Sequence, residues 1–211
     1  MAHLVLLGDS IFDNAAYTRG GPDVVSQVRK TLPPGWIASL LAVDGATTAG
    51  IREQVLRLPA DATHLVLSVG GNDALMHESV LALRATSIAQ ALGLFGEVVS
   101  GFEKGYRSAV DICLDTGLPL TLCTIYNGCF PDPQYQRVIR VALAVFNDAI
   151  LRVAIERGLA VIDLRALCVN PDDYANPIEP SSVGGEKISR VIAAWVTGIE
   201  PHSGSTRIVI S

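Results

Sequence analysis

The chain has no segment that is typical of membrane insertion or of secretion. None of its apolar runs reaches the roughly 18 residues that a membrane-spanning helix needs. The opening residues, MAHLVLLGDS, lack a basic region before their apolar run and continue into Gly8, Asp9 and Ser10 instead of a small-residue cleavage site. They predict a first β-strand rather than a signal peptide. We therefore expect a cytoplasmic protein that has no membrane partner.

Basic residues are scarce as well. The 21 Asp and Glu residues outnumber the 16 Lys and Arg residues, which gives a net charge of -5, and no run of the chain is basic. Nucleic acids and anionic membranes attract clustered Lys and Arg side chains that neutralise phosphates. The composition therefore argues against a nucleic-acid partner and favours a neutral or small-molecule substrate.

Cysteines are few and form no C-x-x-C pair. The four of them, Cys113, Cys123, Cys129 and Cys168, lie in or beside apolar segments. This placement favours reduced thiols over disulfides or a zinc site. We expect neither a metal site nor a cofactor.

Short apolar runs alternate with helical patterns along the chain. The runs that predict strands are residues 3–8, 37–43, 64–69, 120–125 and 159–164. Such alternation is typical of a parallel sheet covered by helices on both faces. The sequence therefore predicts an α/β protein with a central five-stranded parallel sheet.

Apolar spacings of three and four residues predict a long helix over residues 135–158, and a last helix is expected over residues 184–196. The stretch 76–105 is less regular and is interpreted as a short helix, a lid-like excursion and the start of another helix. The last residues, STRIVIS, predict either a sixth strand or an arm. Because no repeat or linker interrupts the pattern, we expect one domain over residues 1–211.

Glycine and polar residues follow four of the predicted strands. They are Gly8-Asp9-Ser10, residues 44–48, residues 70–73 and residues 126–128. Taken singly, each group is more often a turn or a helix cap than part of a site. Ligand sites of open parallel sheets, however, lie outside the carboxyl ends of the strands, where these groups meet.

Together these residues supply the parts of an acyl-transfer site. Ser10 offers a hydroxyl nucleophile at a tight turn, and the N–H groups of Ser10 and Gly45 with the amide of Asn72 can stabilise an oxyanion. Tyr126 and Asn127 are expected to line the substrate pocket, with ordinary loop packing as the alternative.

Four blocks of the sequence resemble one known family. They are GDSIFDN (8–14), DGATT (44–48), GGND (70–73) and PSSVGGEKI (180–188). In this order they resemble the SGNH hydrolases of the GDSL esterase/lipase family. The resemblance implies a flavodoxin-like three-layer α/β/α sandwich, with Ser10 as nucleophile. It also implies a serine esterase that hydrolyses small carboxylic ester or O-acyl groups through an acyl-enzyme.

The fourth block departs from the family. Family members usually carry Asp-x-x-His before it, whereas this chain has Asn176 and Glu179 at the two positions. We interpret Glu179 as the general base, held in place by a hydrogen bond that the Asn176 amide donates. Asparagine at position 176 also avoids a second carboxylate beside Glu179, which would raise the pKa of one of the two carboxyl groups. Glutamate is the weaker base, with an ordinary pKa of about 4.3 against about 6.5 for histidine, and burial has to close part of that gap.

Two measurable expectations follow from a carboxylate base. A carboxylate oxygen of Glu179 should lie about 2.6–3.2 Å from Ser10 Oγ. The acidic limb of the pH profile should lie nearer pH 5 than pH 7 for a modestly raised carboxyl pKa.

Histidines elsewhere remain alternatives for the base. His77 follows the third strand at the correct edge of the sheet, and His202 lies near the chain end, whereas His3 and His64 begin strands at the wrong edge.

Two other functional classes also stay open: a catalytically weak protein that binds acyl ligands, and a flavodoxin-like binder of nucleotides or flavins. A nucleotide or flavin binder would need a run of glycines that cradles phosphate after the first strand, and this chain lacks one. A homo-oligomer is possible.

Four further polar residues receive a structural interpretation. Asp9 and Asp73 are expected to fix turns by accepting backbone N–H groups. Asp13 and Asn14 either shape the pocket or begin a helix.

Overall fold

The five apolar runs form one parallel sheet in the computed structural model, which describes residues 1–199. The strands are β1 (Ala2–Gly8), β2 (Trp36–Leu40), β3 (His64–Ser68), β4 (Leu120–Cys123) and β5 (Ala160–Ile162). They are ordered β2-β1-β3-β4-β5, and each neighbouring pair is parallel. The predicted five-stranded parallel sheet is therefore confirmed. The strands of the sheet end earlier than several of the apolar runs, because those runs continue into the loops that lead to the site.

Helices cover both faces of the sheet. They are α1 (Val24–Thr31), α2 (Ile51–Val55), α3 (Gly71–Met76), α4 (Ile88–Leu114), α5 (Pro133–Arg157), α6 (Leu164–Leu167) and α7 (Ser182–Thr197). Short 3-10 helices lie at Ala15–Tyr17, Thr48–Gly50, Glu78–Ala82 and Pro171–Asp173. α5 and α7 lie close to the two predicted spans. The irregular stretch 76–105 comprises the end of α3, the 3-10 helix Glu78–Ala82 and the first two thirds of α4.

The side chains of β1 show how the layers form. Val5 and Leu7 point into a core shared with α4 and α5, and Leu4 and Leu6 into a second core shared with α1 and α7. All four are fully buried. Successive strand residues face opposite sides, so a continuous apolar strand requires cover on both sides. The three-layer α/β/α sandwich predicted from the sequence is confirmed.

Two buried carboxamides hold the strand ends that lead to the site. Gln54 of α2 accepts from the Gly8 N–H at 2.8 Å and donates to the Gly8 carbonyl at 2.7 Å. Asn147 of α5 pairs in the same way with the N–H and carbonyl of Ile125, both at 2.8 Å. Each amide bonds both backbone groups of one residue where a strand passes into the next loop, which fixes the start of that loop.

Gly8 is required by geometry at the end of β1. Its φ is +130°, and a Cβ at this position would lie 1.7 Å from the carbonyl oxygen of Ser68. A side chain is therefore excluded here, and the chain can turn directly from β1 into Ser10.

The described part of the chain contains unpaired cysteines and no membrane-spanning helix. Cys113, Cys123, Cys129 and Cys168 are all free. No helix among residues 1–199 is both long and apolar enough to cross a bilayer. The predicted strand or arm in STRIVIS and the alternative base His202 lie outside the described residues.

Candidate active site

Ser10 and Glu179 form a buried hydrogen-bonded pair. Ser10 follows β1, and its Oγ donates to Oε1 of Glu179 at 3.0 Å. The two residues are 6% and 5% exposed. The distance lies within the range expected from the sequence. Glu179 thus stands against the candidate nucleophile and is not turned to solvent.

The surroundings of Glu179 make its carboxyl group more basic. Burial raises its pKa from 4.5 to about 7, against the hydrogen bond from Ser10, and the charge of Asp44 raises it further. This value is close to the usual pKa of imidazole, about 6.5. A pKa of about 7 moves the expected acidic limb of the pH profile from near pH 5 to near pH 7. Desolvation, which depends on packing, outweighs the stabilising hydrogen bond.

A second buried carboxyl group lies next to Ser10. Asp9 is 2% exposed, and its Oδ1 accepts the Ile11 N–H at 3.1 Å, as expected of a turn-fixing residue. Burial raises its pKa to about 8, against the Ile11 hydrogen bond, and the charge of Glu179 contributes to the rise. Ionisation of either carboxyl therefore opposes ionisation of the other.

Asn176 supports Glu179 differently from the expected way. Its Oδ1 accepts the N–H groups of Ile178 and Glu179, both at 2.9 Å, and the side chain is exposed. The expected hydrogen bond from its amide to the Glu179 carboxylate is therefore wrong. The side-chain oxygen is instead used in a local turn, a conformation that Asn favours. Asn176 fixes the backbone of Glu179.

The residues on either side of Glu179 are also held. Asn14, which is fully buried, donates from Nδ2 to the Pro180 carbonyl at 3.1 Å and accepts the Val24 N–H at 2.9 Å. The Tyr126 hydroxyl donates to the carbonyl of Ile178. The Glu179 backbone is thereby tied both to the Ser10 loop and to the loop after β4.

Two of the three candidate oxyanion donors, the Asn72 amide and the Gly45 N–H, are placed unequally. Asn72, in the first turn of α3, lines the pocket beside Ser10, and its Nδ2 donates to the Ala46 carbonyl at 2.9 Å. An amide has two N–H groups, so the second remains for a ligand. Gly45, with φ of +78°, is exposed and does not line the pocket.

Two aspartates hold the loop that carries Gly45. Asp13 Oδ2 accepts the Asp44 N–H at 2.9 Å. Asp73 accepts from Thr48, from its N–H at 3.1 Å and its hydroxyl at 2.7 Å. The expectation that Asp73 accepts a backbone N–H is confirmed, but its partner lies on another loop rather than in its own turn. Both ends of the Gly45 loop are thus bound to the segments that carry Ser10 and Asn72.

A pocket begins at Ser10 and extends between α3, α4 and α5; its empty space, open solvent included, is about 920 Å³. Tyr126 and Asn127, predicted to bind substrate, both line it, and so do Asn72 and Glu179. Tyr126 is also committed to the backbone contact with Ile178. The pocket joins the polar Ser10 end to an apolar wall.

Histidines do not contact Ser10 in the described part of the chain. His77 lines the pocket but is exposed, and the Ser10 hydroxyl is bonded to Glu179. His3 is bonded to Asp61 and Ser39 at the start of β1, and His64 begins β3. Both therefore lie at the sheet edge opposite to the site, as predicted.

Sequence reasoning missed the residues that brace the loops. Besides Gln54 and Asn147, Gln136 of α5 donates to the Asn127 carbonyl at 3.0 Å and accepts the Phe130 N–H at 2.7 Å. An amide on a helix has no sequence signal that separates such a brace from a solvated side chain.

Comparison with known proteins identifies the family to which the chain is similar. A family model described as GDSL-like lipase/acylhydrolase matches residues 6–184. No curated protein sequence matches the chain significantly.

Among solved structures, the chain is similar to a lipase/acylhydrolase from Enterococcus faecalis, with a TM-score of 0.61, 21% identity and coverage of 94% of this chain and 96% of that one. It is similar to a phospholipase A1 from Streptomyces albidoflavus, with a TM-score of 0.64, 15% identity and coverage of 90% and 97%. It is also similar to a carbohydrate acetylesterase from Sinorhizobium meliloti, with a TM-score of 0.61, 13% identity and coverage of 95% and 100%. At these identities the likeness concerns the fold, which hosts different ester substrates. Because the family model runs from the end of β1 to the first turn of α7, and so through every segment of the candidate site, the chain belongs to the GDSL-like lipase/acylhydrolase family.

Proposed function

We propose that this protein is a serine hydrolase of carboxylic esters, with Ser10 as nucleophile and Glu179 as general base. The observation that carries the proposal is the buried hydrogen bond from Ser10 Oγ to Glu179 Oε1, at 3.0 Å. A pKa of about 7 supports it, since a general base works best with a pKa near the operating pH. The membership in a family of lipases and acylhydrolases supports the ester chemistry.

Acylation begins when Ser10 Oγ attacks the ester carbonyl carbon and its proton moves to Glu179. The carbonyl oxygen becomes an oxyanion, which accepts hydrogen bonds from the Asn72 amide and from the Ser10 N–H. The Gly45 N–H, which does not line the pocket, takes no part in this step. The bond from carbon to the alcohol oxygen then breaks. The leaving alcohol takes the proton from Glu179, and the acyl group stays on Ser10.

Deacylation repeats these steps with water. Glu179 takes a proton from a water molecule, whose oxygen attacks the acyl carbon. Ser10 Oγ leaves and recovers the proton from Glu179, and the carboxylic acid departs. Only ionised Glu179 accepts a proton in either half, so kcat/KM should rise with pH and level off above a midpoint near 7.

Labelling by a fluorophosphonate tests the nucleophile, and hydrolysis of p-nitrophenyl acetate tests turnover. We expect the wild-type protein to be labelled stoichiometrically, Ser10→Ala not to be labelled, and Glu179→Gln to lose nearly all turnover. His77→Ala, which alters the alternative base at the pocket mouth, is the matched control and should keep both properties. Labelling that persists in Ser10→Ala would contradict the nucleophile. Turnover retained by Glu179→Gln and lost by His77→Ala would transfer the base to the histidine.

The same assay separates the hydrolase from an acyl-ligand binding protein. A protein that only binds acyl groups would neither be labelled at Ser10 nor release p-nitrophenol, although its pocket would still take a ligand. The proposal of a hydrolase would then be wrong.

A further inference from the structure

Beyond Ser10, the wall of the pocket is apolar. It is built by Leu81 of the 3-10 helix Glu78–Ala82, by Phe95 of α4 and by one face of α5. The residues of α5 on this face are Ile139, Ala142, Leu143 and Phe146. Phe95 and Phe146 meet edge to face with ring centroids 6.2 Å apart, which gives this part of the wall a firm aromatic surface. Against these side chains a polar or charged substrate group would lose its hydration without gaining a partner. Two polar residues that also line the pocket, Glu78 and Tyr135, are hydrogen-bonded to each other.

Apolar side chains continue onto the surface beside the pocket. Met76, which lies between the lining residues Leu75 and His77, is 73% exposed. Leu83, Ile88 and Leu92, which lie in the chain between the lining residues Leu81 and Phe95, are 55%, 81% and 67% exposed. Residues 85–96, which include the first turns of α4, carry no charged side chain. The approach to the pocket is therefore suited to an uncharged apolar group.

The order of the two chemical steps indicates which half of the ester occupies this wall. The alcohol has to depart after acylation, and water has to take its place beside Glu179 before deacylation. The acyl group stays bonded to Ser10 through both steps. A deep apolar pocket retains a chain and disfavours water, so it fits the acyl half better than the alcohol half.

We propose that the pocket selects esters of unbranched apolar acyl chains longer than acetyl, and that Ala142 is a specificity-determining residue because its small side chain leaves the pocket deep. The inference rests on the proposed hydrolase function and names its substrate class. Ala142 is 9% exposed and lies one helical turn before Phe146, so a larger side chain on this face of α5 fills space that the acyl chain would use.

The experiment measures kcat/KM for p-nitrophenyl acetate, butyrate, hexanoate, octanoate and decanoate. With the wild-type protein we expect a rise of about three- to fourfold for each added methylene, until the chain fills the pocket. Ala142→Phe should lower the ratio of octanoate to acetate kcat/KM by at least about tenfold. Val141→Phe is the matched control, because Val141 is the adjacent residue, is 72% exposed and does not line the pocket, and its ratio should equal that of the wild type.

Two further arms make the outcome decisive. Ala142→Met adds a smaller, flexible side chain and should give an intermediate ratio, and circular dichroism of each variant shows that it is folded. A series of acetate esters with alcohols of increasing length should show a much flatter dependence. A wild-type ratio at or below one, equal ratios in the two phenylalanine variants, or a rise confined to the alcohol series would overturn the inference. The absence of labelling and of acetate turnover in the wild type would instead refute the hydrolase function itself.

Discussion

Glu179→Gln removes a carboxylate that the fold holds out of water, so we expect it to stabilise the protein at neutral pH while it abolishes turnover. Glutamine has the same shape as glutamate and its side-chain oxygen can still accept the hydrogen bond from Ser10. The substitution therefore changes the charge of the site and little of its packing.

The size of the effect follows from the pKa of Glu179. The difference between 4.5 and about 7, at about 1.4 kcal/mol for each pH unit, amounts to about 3 kcal/mol. The native state binds this proton more tightly than the unfolded chain does. The free energy of unfolding of the wild type therefore falls as the pH rises from about 4.5 to about 7, and the loss is complete above that range. Glutamine does not titrate and escapes the loss.

Urea unfolding at pH 4 and at pH 8 measures the difference. We expect the unfolding free energies of the wild type and Glu179→Gln to be similar at pH 4, and that of the variant to be about 3 kcal/mol higher at pH 8. Glu186→Gln, at an exposed position of α7, is the control and should stay within about 0.5 kcal/mol of the wild type at both pH values. The charge of Glu179 also contributes to the raised pKa of Asp9, so Glu179→Gln should lower the Asp9 pKa and add to the stabilisation of the variant at pH 8. A difference that is the same at both pH values would refute the argument from desolvation.

Three other substitutions test the supports of the site. Asn72→Ala should lower kcat by roughly 10²–10³ with little change in KM, and a loss mainly in KM would show ground-state binding instead. Asp73→Asn weakens the double contact with Thr48 and should lower kcat by roughly 10- to 100-fold with a small change in melting temperature; unchanged kcat would show that the Gly45 loop does not depend on it. Gly8→Ala places a Cβ against Ser68 and should cost more than about 4 kcal/mol in thermal unfolding, whereas a wild-type melting temperature would contradict the tight approach.

The elements that depend on local patterns were predictable from the sequence. Leu4, Leu6, Val5 and Leu7 of β1 form a continuous apolar run, and such a run implies burial on both faces of a sheet. The position of Ser10 followed from the same logic, since the ends of parallel strands share one edge. The single domain, the cytoplasmic location and the oligomeric state stay predictions.

Long-range contacts could not be predicted in this way. Gln54 meets Gly8 across 46 residues of sequence, and Asn14 meets Pro180 across 166. Neither amide differs in sequence from one that faces water. The raised pKa of Glu179 belongs to the same class, since it is decided by how much water the packed chain removes, which residue type and spacing do not encode.

The turn closed by Asn176 has a consequence for how the usual Asp-x-x-His pair could be regained by mutation. Aspartate accepts the same two backbone N–H groups as asparagine, so the turn itself tolerates Asn176→Asp. With Glu179 still present, however, that change adds a negative charge three residues from the Glu179 carboxyl group, whose pKa the charge of Asp44 already raises. Glu179→His first removes a charge, and the aspartate then gains an imidazolium to stabilise. The order of the two substitutions therefore matters. Replacing Glu179 first avoids an intermediate protein that carries carboxylates at both positions.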